Sequence, residues 1–377
     1  MSMTTPATRA RNALYILGNI YPHLTGGMEI FNYYFLRERA KRPGGEIYFL
    51  NEYSAENPAV HFVRLKQRWP VRLFRPFQYF LAICRLRKEA DYAYISYAEQ
   101  SWVISFSQAL ALRCFRIPYI VTIHWGKEPE WKFKFPWLYF FRHAHTVVGV
   151  SEPICKAFEG AVPGQSFSYI PPLIPFQRSK KNKTELKAEF GFREDERILL
   201  FVGSLKTMKN PHRVVEAFQV LGRSWLDEHR VRLLFVGSGD LGESLRETAV
   251  HSGLRDYVRF AGQIGRERIA DYYGVADAYI ISSDYEGTSL SLLEAMFNGM
   301  PILASNAPGI NTMLRHEQNA LLYETGNVIE LAGTVKRLFT NHSLARRLAS
   351  QAALDFNRQY AYEGMMKKYD LIFSSVS

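Results

Sequence analysis

The 377-residue sequence predicts an α/β fold of two wound halves, and three observations carry that reading. Short apolar runs alternate with helix-period segments along the whole chain, the pattern of parallel strands joined by crossover helices. A proline cluster, Pro171-Pro172-Leu-Ile-Pro175, followed by the polar stretch Arg178–Lys187, reads as a linker near the middle. At about 100–200 residues per domain, the length suits two domains. With 47% hydrophobic and 22% charged residues, disorder and collagen-like repeats are excluded.

In the first half the expected strands are Ala13–Leu17, Ile47–Leu50, Tyr92–Ser96, Tyr119–Ile123 and Thr146–Val150. In the second they are Ile198–Val202, Leu233–Val236, Val258–Phe260, Ala278–Ile281 and Pro301–Ala304. Val214, Ala217, Phe218 and Leu221, at i, i+3, i+4 and i+7, give one apolar helix face. Residues 1–12 read as a frayed tail, because the apolar run after them is too short for a signal sequence. Nothing approaches the roughly 20 apolar residues of a membrane span. Cys84, Cys114 and Cys155 lie far apart, which argues against a disulfide framework or zinc site and for a reducing cytosol.

Charge separates the halves. Residues 1–175 carry 21 Lys+Arg against 12 Asp+Glu, whereas residues 176–377 carry 26 against 24. The basic half is expected to meet something anionic. Arg64–Lys88 holds eight basic residues and no acid, interleaved with Trp69, Phe74, Phe77, Tyr79 and Phe80. Trp125–Phe141 is similarly aromatic and carries Lys127, Lys132 and Lys134. Such composition suits an anionic bilayer interface. It equally describes a solvated basic face over an aromatic core. Single-stranded nucleic acid finds no other support in the chain, so no nucleic-acid partner is expected.

The chemistry concentrates in Ser282-Ser-Asp-Tyr-Glu286-Gly287-Thr288-Ser289-Leu290-Ser-Leu-Leu-Glu294-Ala-Met-Phe-Asn-Gly299-Met-Pro301. A strand runs into a polar turn, then a helix from about Ser289 to Asn298, closed by Gly299. The N–H groups of Thr288, Ser289 and Leu290 suit a phosphate at the helix start, and Gly287 lets a ligand approach the backbone. Glu286 and Glu294 then most naturally accept hydrogen bonds from sugar hydroxyls. Taken alone, they also read as a helix-dipole charge and a surface residue.

The segment resembles the Glu-x7-Glu signature of retaining glycosyltransferases of the GT-B fold, family 4. Phe201-Val-Gly203-Ser204-Leu-Lys206-Thr-Met-Lys209-Asn210, Leu234-Phe-Val-Gly237-Ser-Gly239-Asp240, Val258-Arg-Phe-Ala-Gly262 and Asn306-Ala-Pro308-Gly309 follow the family's order. The resemblance is dense over residues 195–325 and loose over 13–175. It implies two Rossmann-like domains facing each other across a cleft. These are residues 1–175 for the acceptor and 176–354 for the nucleotide sugar, with a C-terminal helix at about 355–377 packing back on the first.

By the same resemblance Glu286 contacts the donor sugar, Glu294 the ribose, and Lys209 with the Gly203-Ser204 turn the diphosphate. Gln263 and Ile264 contact the base, and the Gly26-Gly27 loop and His124 approach the donor from the other domain. Glu286, His124 and Lys209 are the expected catalytic residues. Ser204 stands where the family usually has arginine, leaving Lys206 or Arg213 to supply a second cation. An isolated Gly-Gly is also a simple turn, and a lone histidine is often structural.

The implied reaction retains anomeric configuration and uses a UDP-sugar, or next a GDP-sugar, without cofactor or metal. Its acceptor is a hydroxyl, lipid-linked or in cell-surface polysaccharide or glycolipid synthesis. The expected location is the cytoplasm, at the inner face of the plasma membrane. Two rivals stand beside it. One is a non-catalytic nucleotide-sugar-binding partner of a transferase. The other is an NAD-dependent oxidoreductase, suggested by Gly237-Ser-Gly239-Asp-Leu-Gly242. The next strand ends Arg259-Phe-Ala-Gly262-Gln263, without the acid a dinucleotide fingerprint needs.

Overall fold

The computed structural model describes residues 12–17, 27–42, 45–51, 60–65, 74–97, 102–124 and 137–376. The frayed-tail reading therefore lies outside the described residues, apart from Asn12. The chain divides into two compact units, residues 1–175 with 362–377, and residues 176–361.

The first unit holds β1 (Ala13–Ile16), β2 (Ile47–Asn51), β3 (Val60–Arg64), β4 (Tyr92–Tyr97), β5 (Tyr119–Ile123), β6 (Thr146–Gly149) and β7 (Phe167–Tyr169). They form one parallel sheet in the order β3-β2-β1-β4-β5-β6-β7. Side chains alternate between two buried layers. Ile95 and Tyr97 of β4 face one with Phe140 and Phe141, while Tyr92 and Tyr94 face the other with Phe31 and Phe35. Burial on both faces is why these strands read as continuous apolar runs.

The second unit holds β8 (Arg197–Val202), β9 (Val231–Val236), β10 (Val258–Gly262), β11 (Ala278–Ile281), β12 (Ile302–Ser305) and β13 (Leu321–Tyr323). Their order is β10-β9-β8-β11-β12-β13, again all parallel. The helix Pro211–Leu221 buries Val214, Ala217, Phe218 and Leu221, the face its periodicity predicts. Each sheet has the doubly wound order, whose reversal point opens a crevice at the strands' C-terminal ends. That reversal falls between β1 and β4, and between β8 and β11.

Three strands, β3, β7 and β13, escape the sequence reading, and each is a sheet edge. β7 and β13 have three residues apiece, too few to show a period, and β3 is only partly buried. The expected linker is a correction as well. Pro171, Pro172, Leu173 and Ile174 are buried, and Leu173 packs in the Phe31–Phe35 layer. Within the polar stretch, Asn182 and Glu185 form a reciprocal capping box that opens a helix at Lys183.

Phe356 and Tyr360 belong to the second unit's core, and the chain returns to the first at Tyr362. The helix Tyr362–Ser375 sets Met365, Met366, Tyr369 and Phe373 against Phe35 and Tyr94. Asp370 pairs with Arg39 at 2.7 Å and also with Arg42. Met366 is fully buried, so Met366→Ala should cost about 2–5 kcal/mol in urea unfolding of the first unit. A cost below about 1 kcal/mol would mean that this helix is not part of the core.

Candidate functional site

In the second unit the loops after β8, β11 and β12 are knitted together at the reversal point. Ser282, fully buried, donates from Oγ to the carbonyls of Lys209 at 2.8 Å and Asn210 at 3.0 Å. The Asp284 N–H donates to Met208 O at 3.2 Å, the Glu286 N–H to Pro308 O at 3.1 Å, and Ser305 Oγ to Ser283 O at 2.6 Å. Asn210 adopts a left-handed conformation, φ +47°, which turns the chain into the helix opened by Pro211. Gly309, at φ +85°, passes so close to Glu286 that any Cβ would overlap the Glu286 carbonyl oxygen. Gly237, at φ +136°, passes the Gly203 carbonyl in the same way.

The knitted loops hold Glu286, only 7% exposed. Its Oε1 and Oε2 accept from Lys209 Nζ at 2.5 and 2.7 Å, and Oε1 also accepts from Ser283 Oγ at 2.6 Å. A buried carboxylate is tolerable only when paired and hydrogen-bonded, and both conditions are met.

Four residues on, the helix Leu290–Phe297 begins, with Ser289 as N-cap and Asn298 as C-cap; Gly299 follows at φ +65°. Ser289 makes no side-chain bond to the helix backbone, so the first N–H groups of the helix lack the usual capping acceptor. Glu294, on this helix, is buried and pairs with Arg266. Burial raises its pKa, opposed by the Arg266 charge and by a hydrogen bond with Tyr273.

The other expected residues fall at the strand ends. Gly203 follows β8, and Ser204 is exposed beside it. A register shift between Phe260 and Gly262 bends the end of β10, where Gln263 Oε1 accepts from Ser238 Oγ at 3.3 Å and Ile264 is half-buried. Gly287 and Thr288 are half-buried between Glu286 and the helix. Of the two substitute cations, Arg213 is engaged with Asp284 at 2.5 Å, and Lys206 is exposed with no ion pair among the described residues.

Sequence reasoning missed Ser283, Arg266 and Tyr273, which hold the two carboxylates. Arg266 was visible in the charged run Gly265-Arg266-Glu267-Arg268 directly after β10. Nothing in that run told which charge turns inward.

His124 and Gly27 belong to the first unit, and Gly26 lies outside the described residues. Gly27 opens the helix Gly27–Lys41, whose Phe31 ring sits 4.6 Å from the His124 ring. His124 follows β5, its N–H donating to Tyr97 O at 3.0 Å, while Nε2 is buried without a partner among the described residues. Burial pushes its pKa down to about 3, so the imidazole is neutral near pH 7.

This architecture defines a class. The described residues have the GT-B fold of two Rossmann-like units. HepE of Anabaena, in a crystal structure with UDP, matches at TM-score 0.79 and 18% identity over 97% of this chain and all of that one. Sucrose-phosphate synthase of Thermosynechococcus elongatus matches at 0.75 and 18% identity over 98% and 99%. Residues 182–355, nearly the whole second unit, match the model of the family Glycosyl transferases group 1.

Among sequence relatives, N-acetyl-alpha-D-glucosaminyl L-malate synthase of Bacillus anthracis is 27% identical over 52% of this chain and 50% of its own length. Alpha-monoglucosyldiacylglycerol synthase of Streptococcus pneumoniae is 28% identical over 50% and 43%. The chain thus spans about half the length of the curated relatives it matches.

The burial of His124 has a pH consequence. Its unfolded pKa is about 6.5. Between that value and the native value of about 3, the unfolded chain binds a proton that the native one refuses. The stabilisation is complete above pH 6.5 and is lost as pH falls toward 3. NMR should show no His124 ring titration between pH 5 and 8, and His124→Gln should flatten the acid limb of stability. A titration midpoint near 6.5 would refute the burial.

Proposed function

We propose that the chain is a retaining glycosyltransferase that moves a sugar from a nucleotide-diphosphate sugar, UDP first and GDP next, to a hydroxyl acceptor. The observation that carries this reading is the Lys209–Glu286 pair at the strand reversal, beside an N-terminus with no capping side chain. The family match and the UDP-bound neighbour support it.

In this reading Lys209 exchanges Glu286 for the β-phosphate, and the amides of Thr288, Ser289 and Leu290 share the charge. Both stabilise what develops on the leaving group. Glu286, freed on one side and still held by Ser283, accepts from the donor sugar, and Glu294 accepts from the ribose. Gln263 and Ile264 flank the base. His124 donates to or accepts from the sugar with its unpartnered nitrogen. The acceptor attacks from the leaving-group face through an oxocarbenium-like state, and the departing phosphate takes its proton. Cationic stabilisation from Lys209 and the helix makes a metal unnecessary. We read the acceptor as lipid-linked, at the inner face of a membrane. One relative carries a diacylglycerol lipid in its name, and the first unit is strongly basic.

Glu294→Ala should weaken UDP binding about tenfold to a hundredfold, the worth of a charged hydrogen bond. Glu286→Ala should leave UDP bound and chiefly lower turnover. Calorimetry with UDP and GDP, beside a sugar-transfer assay, separates the two. Unchanged transfer in both variants rejects the site.

Transfer should also survive EDTA. Activity lost on chelation and restored by magnesium or manganese would overturn the metal-free reading.

A further inference from the structure

Two helices of the first unit carry an apolar face that is exposed among the described residues. The helices Arg75–Leu86 and Trp102–Cys114 pack side by side over the sheet layer that contains Ile95 and Tyr97. On the first helix Ala82, Ile83 and Leu86 point inward. The outward stripe is Phe74, Phe77, Leu81, Arg85 and Lys88, at steps of three and four residues, one continuous helical line. Phe74 and Phe77 are 62% and 60% exposed. The second helix adds Trp102, Val103 and Leu110, and Trp102 is 48% exposed. These six are half of the twelve exposed large apolar side chains among the described residues, and the other six are scattered along the second unit and the last helix. Single exposed apolar residues are ordinary, whereas a contiguous set marks an interaction surface.

The charge of this face selects its occupant. Arg85, Arg87, Lys88, Arg113 and Arg116 end the two helices, all exposed and none in an ion pair among the described residues. Glu89 is the one acid within that set. Both helices are crossovers between parallel strands, so they run alike, opposite to the strands. Their apolar first turns therefore lie at the strands' C-terminal end, the end that carries His124, and their basic ends lie about 15 Å away at 1.5 Å per residue. No helix among the described residues is long and apolar enough to cross a membrane.

Composition alone misplaces part of this face. Tyr79 and Phe80 are half-buried against the core, and Phe140 and Phe141, counted as interfacial aromatics, are fully buried. Trp69, Arg72 and residues 125–136 lie outside the described residues, while the helix Trp102–Cys114 was not part of the expected surface.

We propose that this two-helix face lies flat on an anionic lipid bilayer. Phe74, Phe77, Leu81, Trp102, Val103 and Leu110 enter the headgroup–acyl boundary, and the arginine-rich ends rest on lipid phosphates. The proposal deepens the membrane-acceptor reading and takes its purpose from it. The binding itself needs no turnover.

The test is co-sedimentation of the full chain with vesicles of phosphatidylcholine alone or mixed with phosphatidylglycerol, at low and high salt. Binding should require the anionic lipid, weaken with salt, and shift Trp102 emission to the blue, a shift absent in Trp102→Phe. Phe77→Ser/Leu81→Ser and Arg85→Ser/Arg87→Ser/Lys88→Ser should each lower vesicle affinity about tenfold or more with the melting temperature unchanged, since every side chain is exposed. Absence of vesicle binding at low salt, or equal binding by both variants, overturns the proposal. So does self-association in light scattering that Phe77→Ser/Leu81→Ser abolishes, which would assign the face to a second copy. UDP binding and transfer to soluble acceptors, measured without vesicles, report separately on the transferase reading.

Discussion

A carboxylate kept out of water at the tip of a parallel sheet sets the terms for the whole upper rim of the second unit. Glu286 is tolerable there because Lys209 grips both its oxygens and Ser283 one of them. Lys209 comes from the segment after β8 and Ser283 from the segment after β11, so the two neighbouring strands must deliver their ends in register. Ser282 ties those segments, the Glu286 amide adds the loop after β12, and Gly309 allows that loop to pass. Removing one partner of such a buried pair costs far more than the pair contributes to stability. The rim is therefore coupled, and what is built around Glu286 is fixed as one piece.

That coupling explains how a site can be assembled from weak local preferences. Ser289 forgoes a capping bond, and Asn210 holds a left-handed turn, each at a modest local cost. Neighbouring contacts absorb both, through Ser282 at the turn and through Leu292, Leu293 and Met296 of the helix, all buried. The Arg266–Glu294 pair repeats the arrangement one helical step deeper, with Tyr273 as its third member.

Much of this was legible in the residues. Strands buried on both faces announce themselves as apolar runs, and the helix after β11 is closed at its C-terminal end by Gly299 and Pro301. The Glu286–Glu294 spacing survives in the sequence because it is local. Three of the four edge strands, β3, β7 and β13, did not; β7 and β13 are too short for periodicity, and β3 is only partly buried. Pro171–Ile174 misled because prolines suggest a solvated linker, whereas here their rings and the two apolar side chains are covered. Ser283 and Arg266 were hidden for another reason. A serine or an arginine becomes a carboxylate's partner only through contacts that folding creates, and nothing in the local sequence encodes them. Phe140 and Phe141 show the same limit, because composition counts aromatics without telling inside from outside.

The first unit is discontinuous, and that bears on how the chain is made. Phe35 and Tyr94 are covered by Tyr369 and Phe373, and Arg39 meets Asp370. A ribosome adding about 5–20 residues per second spends on the order of ten seconds or more on residues 176–361 before the covering helix emerges. For that interval the nascent first unit carries an open aromatic groove, while the second unit, continuous in sequence, already has every residue of its core. The order of synthesis thus inverts the order of completion, and the half that begins first depends longest on protection from aggregation.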